Sequence, residues 1–208
     1  MRYLSIDLEM SGMNPGKDRI LQMGAVLMNS NIEEFASFFS LIHPGLSKEK
    51  FAEESRGTIF HGLGWEDLEN APPLVEILNS FEAWLLKSNG WKKRKKLKHL
   101  ILVGQSLIHD LEFLRDAYRK TNLSWPYSHT TIDLYNLTFL LFPMLKDNGD
   151  EVPRSRSLES VATYFGLSRK GEYHNSLEDA RLTSCCFREI MAITKRFKFE
   201  KGPIKEVA

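Results

Sequence analysis

The stretch Tyr3-Leu4-Ser5-Ile6-Asp7-Leu8-Glu9 decides how the rest of the chain is read. Residues 2–8 alternate over a short span, which predicts a β-strand that ends on an acidic pair. Residues two apart on a strand project to the same face, so Asp7 and Glu9 point the same way. A solvated strand edge can show the same pair. Here the preceding run has the look of a central strand, and two like charges so placed are costly without a cation. Hard oxygen ligands suit magnesium or manganese better than zinc.

Outward from this strand, Met10 to Asp18 carries Gly12, Asn14, Pro15 and Gly16, a turn-rich connection. Apolar residues return over Ile20–Met28 and Phe35–Ile42 around a turn at Asn29-Ser30-Asn31. These segments predict an antiparallel three-stranded meander. Pro72-Pro73 opens a helix whose Leu74, Ile77, Leu78, Phe81 and Leu85 share one stripe. A basic tract follows, then a short buried strand over His99–Gly104 and a helix over 108–120. Asp133 is placed to cap a helix over 134–142 that stops before Pro143. A helix from Ser157 to Phe165 ends at Gly166, and the last runs from about Ser176 to Lys195. Strands first and alternating helices later make the fold α/β with a mixed sheet.

The 208 residues suffice for a substantial core in one domain. A net charge of +1 gives no global pull toward a polyanion, so a nucleic-acid site must come from local charge or bound metal. Cys185 and Cys186 are neighbours and suit neither a structural disulfide nor a zinc site. No apolar run approaches the roughly 20 residues needed to cross a bilayer. A cytoplasmic location without membrane association is the expectation.

Two further segments carry chemistry. In Gly104-Gln105-Ser106-Leu107-Ile108-His109-Asp110 a buried strand runs into a helix, with Asp110 in its first turn. A helix dipole favours an acid there without any function. In His174-Asn175-Ser176-Leu177-Glu178-Asp179 a loop histidine precedes a helix-borne aspartate five residues on. Each signal alone is weak.

Taken together, Asp7-x-Glu9, Asp110 and His174-x4-Asp179 resemble the DEDD exonucleases of the histidine subtype. That DnaQ-like family includes the proofreading subunit of bacterial DNA polymerase III, RNase T and oligoribonuclease. Asp18-Arg19-Ile20-Leu21-Gln22-Met23-Gly24-Ala25-Val26 resembles the strand after the first motif. Ser157-Leu158-Glu159-Ser160-Val161-Ala162, with Phe165-Gly166-Leu167, resembles the approach to the third. The likeness covers roughly residues 2–192. Gln105-Ser106 and His109 depart from the common His-Asn and Phe of the second motif, and Met10 stands where Thr is common.

The resemblance implies an RNase H-like mixed five-stranded sheet, a meander followed by parallel strands, flanked by helices. It implies one exonuclease domain over 1–195 with a basic insertion near 89–98, and a tail over 196–208. Asp7, Glu9, Asp110 and Asp179 would hold two Mg2+ ions, for which Mn2+ would substitute. Two dications about 4 Å apart need dense negative charge. His174 would serve as general base, since imidazole titrates near neutrality. The substrate would be the 3′ end of single-stranded DNA or RNA. Met10, Gly12, Met13, His61 and Ser106 would bind it, although Met13 and His61 also read as ordinary loop residues. The resemblance leaves room for a homodimer and for a polymerase or repair partner.

Other features have plainer readings. The run from Trp91 to His99 reads as a solvated loop or as a nucleic-acid arm with Trp91 stacking on a base. His109 is expected to pack rather than act as the base, and Glu178 to face away from the site. The first two motifs lean toward oligoribonuclease, so trimming of very short RNA is one alternative. A non-catalytic binding module on the same fold is another, which the crowded acids argue against.

Overall fold

The computed structural model describes residues 1–55, 58–171 and 173–195. The expected tail over 196–208 lies outside the described residues. The first motif sits on β1 (Arg2–Met10), which is the middle strand of a five-stranded sheet. β2 (Ile20–Met28) and β3 (Glu34–Leu41) complete the antiparallel meander. β4 (Leu100–Gly104) and β5 (Thr131–Asp133) add to the other edge in parallel, giving the order β3-β2-β1-β4-β5. β5 is too short to have been read from its own residues.

Alternation along β1 sorts its side chains onto two cores. Leu4, Ile6 and Leu8 enter one with α4 (Leu74–Ser88) and α5 (Ile108–Lys120). Tyr3 enters the other with α6 (Leu134–Asp147), α7 (Leu158–Tyr164) and α8 (Ser176–Thr194). β2 is buried along its whole length because helices cover both faces of the sheet there. The meander's far side carries the short helices α1 (Lys48–Glu54), α2 (Thr58–His61) and α3 (Trp65–Leu68). None of these was read from the sequence, since so few turns establish no apolar period.

Two expectations are corrected here. α6 does not stop before Pro143 but runs through it to Asp147. Proline deprives the carbonyl four residues earlier of its helical partner, and here that carbonyl belongs to exposed Phe139, where water can serve. The basic run is solvated at Lys92, Lys93, Lys95, Lys96 and Lys98, as expected, but it is anchored rather than a free loop. A 3-10 turn over Arg94–His99 buries Leu97, and Arg94 grips Glu82 at 2.6 and 2.8 Å. Trp91 packs against the core rather than standing free to stack on a base. Because Leu100 pairs with Arg2 in parallel register, the tract lies at the end of the sheet away from Asp7 and Glu9.

Candidate active site

Asp7 and Glu9 lie on the face of β1 that meets α8, two and four residues beyond Ser5, whose hydroxyl donates to the Ala180 carbonyl at 2.8 Å. The β1–β2 register slips between Glu9 and Met10. Such bulges re-aim side chains beside functional sites.

α8 reaches this face through two features of β2. The Gln22 side-chain oxygen accepts from the Ser176 amide at 2.7 Å and from its hydroxyl at 2.9 Å, pinning the helix start. Gly24 lets the backbones approach, since a Cβ there would lie 2.1 Å from the Ser176 carbonyl carbon. Asn175 caps α8 by accepting from the Leu177 and Glu178 amides. Asp179, in the first turn, is thereby held beside β1. It is buried.

Asp110 arrives from the β4–α5 turn. Its Oδ1 accepts from the Leu8 amide at 2.9 Å, locking the first turn of α5 against β1. Asp133 supports that turn by accepting from the Ser106 and Leu107 amides at 3.0 and 2.9 Å, while also capping α6 through Tyr135 N. The expected cap is therefore present, with a second task the sequence did not reveal. Ser106 adopts a left-handed φ of 52° in this turn and does not line the cleft described below. His109 is exposed rather than packed.

Three of these carboxyls are held above their ordinary range. Burial pushes the Glu9 carboxyl up to about 8, with the charges of Asp179 and Asp110 adding to the rise and Arg169 opposing it. Asp7 is likewise raised, first by desolvation and then by Asp110, Glu9 and Asp179. Desolvation lifts Asp110 to about 7 against the hydrogen bond from Leu8. One atom of each of Glu9, His174 and Asp179 falls within 4.8 Å of the others. Glu9 Oε1 is buried with no hydrogen-bond partner. An orphaned carboxylate oxygen amid like charges and oxygen donors fits a hard divalent cation.

Arg169 is the residue that sequence reasoning missed. Its Nε and one terminal nitrogen donate to both oxygens of Asp179 at 2.8 and 2.9 Å. A lone arginine in a loop carries no spacing signal, so nothing in the sequence singled it out. Glu178 does not face away unengaged: it accepts from the Lys170 and Gly171 amides and braces the same loop. His174 is half-exposed on that loop, with Nδ1 3.4 Å from Asp179 Oδ2, and its amide donates to the Phe60 carbonyl at 2.9 Å.

A cleft of about 930 Å3 opens beside these groups, lined by Glu9, Met10, Gly12, Met13, Phe60, His61 and His174 among others. Met13 is 73% exposed rather than a partly buried loop residue, and Phe60 is 63% exposed. His61 is buried at the end of α2, not displayed on a loop. Its Nδ1 accepts from the Leu63 amide at 3.0 Å, while Nε2 has no hydrogen-bond partner of acceptable geometry. Burial depresses its pKa; the nearby Met10 carbonyl opposes this and the His174 charge adds to it.

The chain belongs to the exonuclease family RNase_T, which matches residues 4–187. It is 29% identical over 202 residues to a "DNA polymerase III PolC-type" of Thermotoga petrophila, covering 96% of this chain and 12% of that protein's length. The nuclease domain of 3′hExo, a DEDDh family member bound to rAMP, superposes with a TM-score of 0.70 at 18% identity, covering 96% of each chain. Escherichia coli exonuclease I in complex with a dT13 oligonucleotide gives a TM-score of 0.73 at 15% identity, covering 94% of this chain and 42% of that one. These two likenesses agree with the expected RNase H-like fold. Among the described residues no helix is long and apolar enough to cross a membrane.

Proposed function

We propose that this chain is a divalent-metal-dependent 3′-to-5′ exonuclease that releases nucleoside 5′-monophosphates from single-stranded nucleic acid. The observation that carries the reading is the convergence of Asp7 and Glu9 from β1 with Asp110 and Asp179 from the first turns of α5 and α8, at one end of the sheet and with Glu9 Oε1 unpartnered. These four carboxylates would hold the ions. Bound there, Mg2+ or Mn2+ would lower the pKa of a water and would offset charge building on the scissile phosphate.

His174 is the general base. With a proton on Nδ1 facing Asp179, its Nε2 is left to take the proton of the attacking water. Met13 and Phe60 offer apolar surface to the terminal base, and Gly12 lines the same cleft. The polymerase relative supports a polymerase or repair setting, and the dT13 complex of the neighbour supports a single strand as substrate.

The test uses 5′-labelled single-stranded DNA and RNA of one sequence, with Mg2+ or Mn2+, beside Asp7→Ala. A ladder shortening from the 3′ end, absent in the variant and with chelator, supports the reading and reports the sugar preference. Absence of any ladder moves the assignment to the binding-module alternative. A rate confined to RNA of roughly two to five nucleotides, at or below the low end of single-strand site sizes, selects the oligoribonuclease-like alternative.

A further inference from the structure

The exposed face of α6 has no role in the site described so far. Tyr135, Phe139 and Leu140 are 38%, 52% and 69% exposed on this helix. Tyr135 and Phe139 form an edge-on pair with ring centroids 5.2 Å apart. The Arg156 guanidinium lies 4.0 Å over the Phe139 ring. Among the described residues Arg156 forms no ion pair with a carboxylate, and its buried Nε finds no hydrogen-bond partner. A cation stacked on an aromatic ring and left without a counter-charge suits a ligand with phosphate oxygens and flat rings.

The face begins at the same end of the sheet as the active site. β1, β4 and β5 run parallel, so the turn carrying Asp110 and the start of α6 emerge at the same end of the sheet as Asp7. Strands about 4.8 Å apart put the end of β5 roughly 10 Å from that of β1. Gln105 Nε2 donates to the Arg156 carbonyl at 2.7 Å, and Asp133 ties Ser106 and Leu107 to Tyr135. The β4–α5 turn thus holds both Asp110 and the aromatic face in place.

Resting on the exonuclease reading, we infer that the α6 face is the track for nucleotides upstream of the scissile bond. The strand leaves the cleft past the β4–α5 turn, stacks bases on Tyr135 and Phe139, and sets a phosphate against Arg156. Stacking tolerates any base, and charge supplies the backbone contact, as single-strand sites require. The substrate class that follows is an unpaired strand long enough to pass from the cleft onto α6. The basic run at the opposite end of the sheet has no part in this path.

The test pairs binding with turnover on the whole chain. A Tyr135→Ala/Phe139→Ala variant and Arg156→Gln are measured by fluorescence anisotropy on a labelled dT dodecamer in chelator, and by hydrolysis of the dodecamer and of a dinucleotide in Mn2+. Circular dichroism melts verify that the variants fold. The expected result is dodecamer affinity weakened about tenfold or more per stacked base, with dinucleotide turnover unchanged. Unchanged dodecamer affinity overturns the proposal. Equal losses on both substrates also overturn it, because a track acts only on the longer one. Failure of the wild type to cleave either substrate would sink the exonuclease reading alone, since the anisotropy arm still reports whether α6 holds the strand.

Discussion

Arg169 takes both carboxylate oxygens of Asp179 in a two-pronged ion pair, with the side chains only 16% and 4% exposed. The same arginine opposes the upward shifts of Asp7 and Glu9, so its charge reaches beyond Asp179. A cation bound at Asp179 must share that carboxylate with Arg169 or displace it.

Replacing Arg169 with Gln removes the competitor and the compensating charge together. The chelated variant should lose about 2 kcal/mol or more of stability, since breaking a buried pair leaves an uncompensated charge. Its Mn2+ affinity should rise about tenfold, as roughly 1.4 kcal/mol of ion pairing no longer has to be surrendered. Denaturant melts in chelator and calorimetric Mn2+ titration measure the two effects. Weaker Mn2+ binding in the variant would show that Arg169 helps to hold the site instead of competing for it.

The raised carboxyls fix how stability depends on pH. Glu9 at about 8, Asp110 at about 7 and Asp7 above its ordinary range all bind protons more tightly folded than unfolded. The folded state therefore holds more protons between the ordinary carboxylate range and these raised values, so stability falls as pH rises through that window. Thermal melts in chelator should show a declining midpoint from about pH 5 to about pH 8 from these shifts. Mg2+ should restore the midpoint, most strongly at the alkaline end, because ligands bind metal deprotonated. A chelated midpoint that climbs with pH would contradict this account of the cluster.

Gly24 tests how the site is positioned. Its missing Cβ admits the start of α8, and any side chain would collide with backbone rather than with a flexible tip. Gly24→Ala should cost about 1–3 kcal/mol as overpacking does. It should also weaken Mn2+ binding, because the helix it pushes away carries Asp179. A fully stable variant with native Mn2+ affinity would mean that α8 can retreat without moving the acid.

How much of this was legible depended on whether a residue's partners share its local period. Asp7 and Glu9 were readable because strand alternation fixes their common face. The meander was readable from apolar runs separated by turn residues. Asp133 was readable as a cap for α6, yet its grip on Ser106 and Leu107 crosses 26 residues or more and leaves no local trace. Arg169 was invisible for a similar reason, since the meaning of its charge comes from β1 and α8 brought together. Pro143 misled in the opposite direction. Its rule is sound, but it presumes that the freed carbonyl cannot reach water.

If His174 is the general base as proposed, replacing it should separate proton transfer from metal binding. Its ring is half-exposed on a loop held by the contact from its amide to the Phe60 carbonyl, so trimming the ring leaves that hydrogen bond in place. His174→Ala should therefore fold normally and retain Mn2+ binding within a few-fold, while turnover drops about 100-fold to 10,000-fold, the range for a lost general base. Steady-state hydrolysis of a labelled strand, read beside Mn2+ titration, measures both. Lost Mn2+ affinity matching the lost turnover would instead make His174 a ligand, consistent with its nitrogen lying within 4.8 Å of ligand atoms on Glu9 and Asp179. Retained turnover would leave the proton to another acceptor, with buried His61 on the cleft wall as the next residue to replace.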